Sequence, residues 1–376
     1  LAVPVQATEG NAQRSFVIAN CVSDALESHR ADIAAAAVLA ATARMLTGLG
    51  EDALAIEHFA LAEGILGRAG EDSYDHAYLL ARIEEGEGDP AKKVGLLDQV
   101  IGKLEALAAA YSDRCPVEWL GDLAYASMHR GIARRALPRP DLKQAVVDHT
   151  QAINTWDAIK TKGGAELRPT WRQANGLAYM NRANASREIS STEAKSALED
   201  YHQAIVAFES LREEEGPGSL EERLYMLAMA YINRASAYRH AGNPDPGPAL
   251  SDLDRAVEIL EQLNASHPVP LAWREALAQA YGSRANMRKP ARGEAYDPAD
   301  HDRAISVLEA IVNNLGDGTP PNVRNDLAGA LSDRAIARPV SAASLPFILA
   351  DHDRSVKLRE ALVAEYGVNA DPRWRR

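Results

Sequence analysis

Leu227, Ala230, Tyr231, Arg234, Ala235 and Tyr238 follow one another at helical intervals, and Leu250, Leu253, Ala256, Val257 and Leu260 do the same further on. That spacing lines each set along one face of an α-helix. Between them, Gly242-Asn-Pro-Asp-Pro-Gly-Pro248 cannot continue a helix, because its prolines remove backbone donors and clash with the preceding turn. A helix, a turn and a second helix are therefore predicted. Breakers at Gly163-Gly164, Gly216-Pro-Gly218, His267-Pro-Val-Pro270 and Gly316 to Pro321 divide the chain into further pairs of the same kind. No segment shows sustained period-two alternation of strand formers.

The pairs are copies of one another. Met128-His-Arg-Gly-Ile-Ala-Arg-Arg135 recurs as Met180-Asn-Arg-Ala-Asn-Ala-Ser-Arg187, Ile232-Asn-Arg-Ala-Ser-Ala-Tyr-Arg239 and Gly282-Ser-Arg-Ala-Asn-Met-Arg-Lys289, and more weakly as Ser332-Asp-Arg-Ala-Ile-Ala-Arg338. The first arginine of each, at Arg130, Arg182, Arg234, Arg284 and Arg334, advances by 52, 52, 50 and 50 residues. A second block follows in phase: Asp148-His-Thr-Gln-Ala-Ile153, Asp200-Tyr-His-Gln-Ala-Ile205, Asp252-Leu-Asp-Arg-Ala-Val257, Asp300-His-Asp-Arg-Ala-Ile305 and Asp351-His-Asp-Arg-Ser-Val356. Repetition at a fixed period marks an array of identical supersecondary units. Each arginine stands next to a small packing residue, and each aspartate falls on the partner helix. Ion pairs between the two helices are expected. The doubled Asp300-His-Asp302 and Asp351-His-Asp353 are expected to be a solvated helix surface, since three adjacent helical residues diverge too widely to chelate one metal.

The string Ala230-Tyr-Ile-Asn-Arg-Ala-Ser-Ala-Tyr238 followed by Ala249-Leu-Ser-Asp-Leu-Asp-Arg-Ala-Val257 resembles a tetratricopeptide repeat, as does Gly50-Glu-Asp-Ala-Leu-Ala-Ile-Glu-His-Phe-Ala-Leu-Ala62. In that family a small residue, matched by Ala235, lets paired helices approach, and an aromatic, matched by Tyr238, fills the gap. Ala249, Leu253 and Ala256 match the second helix. The resemblance runs from about Ile33 to Tyr366 and is clearest from Leu123 to Val356. The period departs from the family's, which is about 34 residues. The resemblance implies an all-α, right-handed solenoid of about seven helical hairpins over residues 31–367, after a capping helix region at 1–30 and before a tail at 368–376. One hairpin cannot bury its apolar face alone, so stacked neighbours supply the core.

Composition adjusts this picture. The 376 residues are 46% hydrophobic and 25% charged but only 6% aromatic, which suits closely approaching Ala- and Leu-rich helices. A net charge of −12 argues against nucleic-acid binding, which depends on neutralising phosphates. The most apolar stretch, Ile33 to Leu49, is Ala-rich and carries Arg44, so no membrane insertion is expected. Cys21 and Cys115 form no CxxC pair and read as core fillers, compatible with a cytoplasmic setting without excluding a periplasm. The sequence begins at Leu1 without Met, which leaves open a processed product or one part of a longer protein.

Catalytic chemistry finds no foothold. Phosphate-binding Gly-rich loops, HExxH, GxSxG and paired zinc spacings are absent from the sequence. A protein without catalytic residues, metal or cofactor is expected, binding a protein or peptide, with self-association through the ends of the array left open. The alternative is a sensory or regulatory module of a larger assembly.

In the family, the first helix of each hairpin lines the binding groove. The resemblance therefore points to residues one before, two after and five after each repeat arginine. These are His129, Asn181, Asn233, Ser283 and Asp333; then Ile132, Asn184, Ser236, Asn286 and Ile336; then the cations Arg135, Arg187, Arg239 and Lys289. Met128, Met180, Met229 and Ile232 add apolar contact. Four cations in register suggest a strip for carboxylates or an acidic segment, with Arg offering bidentate geometry. The asparagines could hold an extended backbone. One mode of the family grips a chaperone's terminal carboxylate. Asn184 and Asn233 match its two asparagines, but Met180, Gln279 and Ser283 stand where it needs cations, so chaperone binding is not implied.

Overall fold

A computed structural model describes residues 87–163, 167–212, 220–243, 245–265, 269–288 and 297–367, with scattered helical positions between 38 and 65 and the single residues Asp371 and Trp374. The expected capping helix at 1–30, Cys21, Lys289 and most of the expected tail lie outside the described residues. Among those described, regular structure is helical throughout. The helices are α1 (Pro90–Tyr111), α2 (Val117–Arg135), α3 (Leu142–Gly163), α4 (Pro169–Ile189), α5 (Ser191–Arg212), α6 (Leu220–His240), α7 (Gly247–Asn264), α8 (Leu271–Met287), α9 (Ala299–Leu315), α10 (Pro321–Ala337) and α11 (Leu345–Tyr366). The chain forms two compact units, residues 1–185 and 186–376.

Proline and glycine set the boundaries. Asp89 caps α1 by accepting from the Ala91 amide (2.9 Å), and Pro90 follows at the first turn, where its missing N–H costs nothing. Gly242 closes the α6 end with φ +69°, a conformation in which a side chain would be strained. The Pro-Gly-Pro run that follows opens α7.

In the first unit, α1 packs on α2 and α2 on α3. Leu97, Val100, Ile101 and Leu104 of α1 meet Leu123 and Ala126 of α2. Trp156 is fully buried among Ala124, Ile159, Leu167 and Ala174, with the ring of Trp171 at 5.6 Å. Cys115 is a free, buried thiol, and burial raises its pKa.

In the second unit, consecutive helices from α5 to α11 pack pair by pair, and α8 also touches α6 and α10. The seam between α6 and α7 is built from small residues. Ala228, Ala235, Ala249 and Ala256 are buried, with Leu253 and Leu260 filling between them. Fully burying one such leucine is worth about 1.5–3 kcal/mol. Helix pairs stacked in sequence make each unit a tetratricopeptide-like helical repeat.

The two polar columns join. Nε and Nη2 of Arg234 donate to Asp252 (2.8 and 2.6 Å), those of Arg284 to Asp300 (2.8 and 2.6 Å), and those of Arg334 to Asp351 (2.9 and 2.6 Å). Arg130 does the same on Asp148 (3.0 and 2.7 Å). The remaining Nη1 reaches back to the preceding hairpin: Arg284 to Asp254 (3.0 Å), Arg334 to Asp302 (2.7 Å), Arg130 to Asp98 (2.8 Å), and Arg182 to the Thr150 hydroxyl (3.2 Å). One guanidinium thus clasps its own hairpin and the one before. Tyrosines three residues earlier add a second rung: Tyr231 donates to Glu209 (2.8 Å) and Tyr281 to Glu261 (2.5 Å). Burial, then the Glu261 carboxylate, push the Tyr281 phenol up to about 12.

This corrects the expectation for Asp300-His-Asp302. The segment is not a solvated face, because Asp300 and His301 are buried and only Asp302 is exposed. Its first carboxylate faces the arginine of its own hairpin and its second the arginine of the next. The geometry also reveals a further copy of the second block that the sequence reading passed over, Leu96-Leu-Asp-Gln-Val-Ile101 in α1, in which Asp98 keeps the reach-back role while Leu96 replaces the first aspartate.

Candidate functional site

The second unit carries a trough along α8. Ala272, Glu275, Ala276, Gln279, Gly282, Ser283 and Asn286 recur at steps of one and three, which makes them a single stripe of that helix. Tyr225, Met229, Ile232, Ser236 and Arg239 of α6 line one side, and Asn322, Asn325, Asp326, Gly329 and Asp333 of α10 the other. Two depressions that share Gln279, Ser283, Asn286 and Asp333 make up the trough. One, of about 380 Å³, lies toward the C-terminal half of α8, and the other, of about 580 Å³, extends toward its N-terminus. At 1.5 Å per residue the stripe is about 21 Å long.

Several residues expected from the repeat register meet here. Ile232, Ser236, Arg239, Ser283, Asn286 and Asp333 all line the smaller depression. Arg187 approaches the same end, its Nη1 donating to the Ser236 hydroxyl (2.6 Å), while Arg239 is exposed. Asn286 donates its amide to Asp333 (2.8 Å). Asn233 is half-buried on α6 and does not line either depression.

The others stand elsewhere. Met128 is 4% exposed and packs with Ala152, Ile153 and Ala178. Asn184 is 8% exposed, and Ile232, although it lines the trough, is 2% exposed. These positions turn toward their own seams, where the ladder draws the helices together. His129, Arg135, Met180 and Asn181 are half-buried in the first unit. Ile132 and Ile336 are exposed, at 43% and 66%.

The trough is not uniformly cationic. Glu275, Asp326 and Asp333 line it, and Asn322 donates to Glu275 (2.9 Å). Burial raises the Tyr225 phenol, and the Glu275 charge pushes it the same way. The register positions at and beyond each arginine point to one end of the trough alone. Extending the same three- and four-residue steps toward the N-terminus of each first helix would have reached Glu275, Asn322, Asn325 and Asp326. Among the described residues no group of three His, Cys, Asp or Glu is placed to hold a metal ion, and no helix is long and apolar enough to cross a membrane.

The helix pairing defines the class: the chain is a tetratricopeptide-like, all-α repeat protein. No protein-family model matches it, and no curated protein matches it. Among solved structures it is similar to BtubC (BKLC) from P. vanneervenii, at 16% identity and TM-score 0.48, over 76% of this chain and 96% of that one. A circular tandem repeat protein with novel repeat topology follows at 12% and 0.26, over 96% and 86%. The TPR domain of P58(IPK) gives 14% and 0.19, over 97% and 95%. Likenesses at these TM-scores say nothing of partner or activity, and the fold rests on the chain's own helix pairing.

Proposed function

We propose that the protein is a non-catalytic scaffold whose α8 trough takes an extended peptide segment, with a carboxylate of that segment at the Arg187–Arg239 end. The observation that carries this reading is the meeting of Ser236, Arg239, Ser283 and Asn286 around one depression, with Arg187 anchored on Ser236. An open trough about 21 Å long suits about six residues of extended chain. Its hydroxyl and amide groups suit a peptide backbone, and the exposed guanidinium suits a carboxylate in bidentate geometry.

The test is an array of immobilised hexapeptides, amidated at the C-terminus, with every position varied over Glu, Lys, Ser and Leu. The wild-type chain selects Glu-bearing members, and Arg239→Ala with Arg187→Ala loses that selection. Equal capture by the wild type and the double variant removes the trough from the account.

A further inference from the structure

Among the described residues α11 is the last helix, and one of its stripes repeats a stripe that is covered elsewhere in the array. In α7, Asp254 accepts from Arg284 and Glu261 from Tyr281, both on the first helix of the next hairpin. Val257 lies between the two carboxylates and is 3% exposed. In α11 the same spacing sets out Asp353, Val356 and Glu360. All three are exposed, Val356 at 52%. At the register of Val356, the residues Ile101, Ile153, Ile205, Val257 and Ile305 of the earlier hairpins are 2–6% exposed. Leu349, 53% exposed, extends the stripe by one turn.

What such a stripe takes can be read from the helices that cover its copies. Ile305 of α9 clusters with Val323, Leu327 and Leu331 of α10. The same register on α8 holds Trp273, Leu277 and Tyr281, followed by Arg284. Steps of four, four and three residues put these side chains along one side of a helix. A helix of this kind, antiparallel to α11, brings apolar surface to Val356, a phenol to Glu360 and a guanidinium to Asp353. Arg354 does not neutralise that end, because it is drawn to Glu309 of α9. In α8 itself Leu277, Tyr281 and Arg284 are 6%, 6% and 8% exposed, so a second copy could offer this helix only by opening its own stack.

We infer that the exposed stripe of α11 docks an α-helix of another protein, one that carries two apolar residues, a tyrosine and an arginine at i, i+4, i+8 and i+11. Apolar burial at Val356 and Leu349 supplies attraction, and the two carboxylates fix register and direction. This surface is separate from the α8 trough and does not rest on the reading given for it.

The probe is a fluorescein-labelled peptide of residues 271–288, held helical by a hydrocarbon bridge between positions 272 and 279, which are exposed in α8. Fluorescence polarisation with the full chain measures its affinity. The wild type binds it, and Val356→Lys, a change at an exposed position, abolishes binding without lowering the unfolding midpoint. Asp353→Asn weakens binding at least about threefold, in the range of a partly exposed ion pair. Arg284→Gln in the peptide costs the same factor against wild type and nothing further against Asp353→Asn. Arg239→Ala, in the trough, leaves the affinity unchanged. No binding, or binding that survives Val356→Lys, overturns the inference, as does loss of binding in Arg239→Ala. Sedimentation of the chain alone supplies the other arm: a dimer that Val356→Lys dissolves would make a second copy the occupant and overturn the assignment to another protein.

Discussion

The ring of His149 lies so close to Gly131 that a β-carbon there would sit 2.6 Å from Cε1 and 2.7 Å from Nε2. Both residues are buried, one on α3 and the other next to Arg130 on α2. The corresponding positions in the α6–α7 hairpin are Ala235 and Leu253, 1% and 0% exposed. Glycine at 131 is therefore the partner of this particular ring placement. Gly131→Ala is expected to lose about 1–3 kcal/mol through overpacking, although alanine favours the helix. Adding His149→Leu recovers part of the loss, because it recreates the pair found in the second unit. Urea unfolding of the two single variants and the double variant checks this; strict additivity would contradict it.

The same histidine makes stability fall in acid. Burial, then the charges of Arg182 and Arg135, lower its pKa from 6.5 to about 3. Between those values the unfolded chain binds a proton that the folded chain refuses, so stability rises with pH across that window. The contribution is intact above about pH 6.5 and declines below it, approaching about 1.4 kcal/mol per pH unit. Unfolding midpoints at pH 7 and pH 5 should therefore differ less in His149→Leu than in wild type. Equal shifts in the two proteins would show that His149 titrates normally.

Position within the ladder should decide what each aspartate is worth. Asp300 is buried beneath Arg284, and losing it leaves two donors of a guanidinium that is 8% exposed without their acceptor, with only Nη1 still on Asp254. Removing one partner of a buried pair costs about 3–5 kcal/mol. Asp302 has a side chain 49% exposed against Arg334, where pairs are worth up to about 1 kcal/mol. Asp300→Ala should therefore unfold at markedly lower urea than Asp302→Ala, and similar midpoints would argue against the buried clasp.

The tyrosine rung should be weaker than the clasp. Tyr281→Phe removes only the hydroxyl that donates to Glu261, at an expected cost of about 1 kcal/mol. Glu261→Gln in the same background should add little, since the two share one interaction. Thermal unfolding of the cycle measures the coupling, and independent losses would mean that the bond does not form.

These examples mark what the sequence could express. The Arg and Asp columns were legible because the same contact recurs in hairpin after hairpin, so the pairing of Arg234 with Asp252 could be expected from register. The doubled aspartates misled because a helix surface facing the next hairpin and one facing water carry the same residues, and only stacking separates them. Leu96 hid the α1 copy, since the block is recognised by its first aspartate. One end of the trough was legible for the same reason as the ladder, at Ser236, Arg239, Ser283 and Asn286. Its acidic end was not, because charge does not recur there in register: the Glu275 position holds Gly121, Gln173, Tyr225 and Asn325 in the other hairpins, and the Asp326 position is acidic again only at Asp122.

The trough along α8 is tested most directly by hydrogen–deuterium exchange of the full chain with and without a saturating Glu-bearing hexapeptide selected from the array. The account predicts added protection in α6, α8 and α10, greatest near Ser236 and Ser283. Protection centred on α3, α7 or α9, with α8 unchanged on binding, would contradict it.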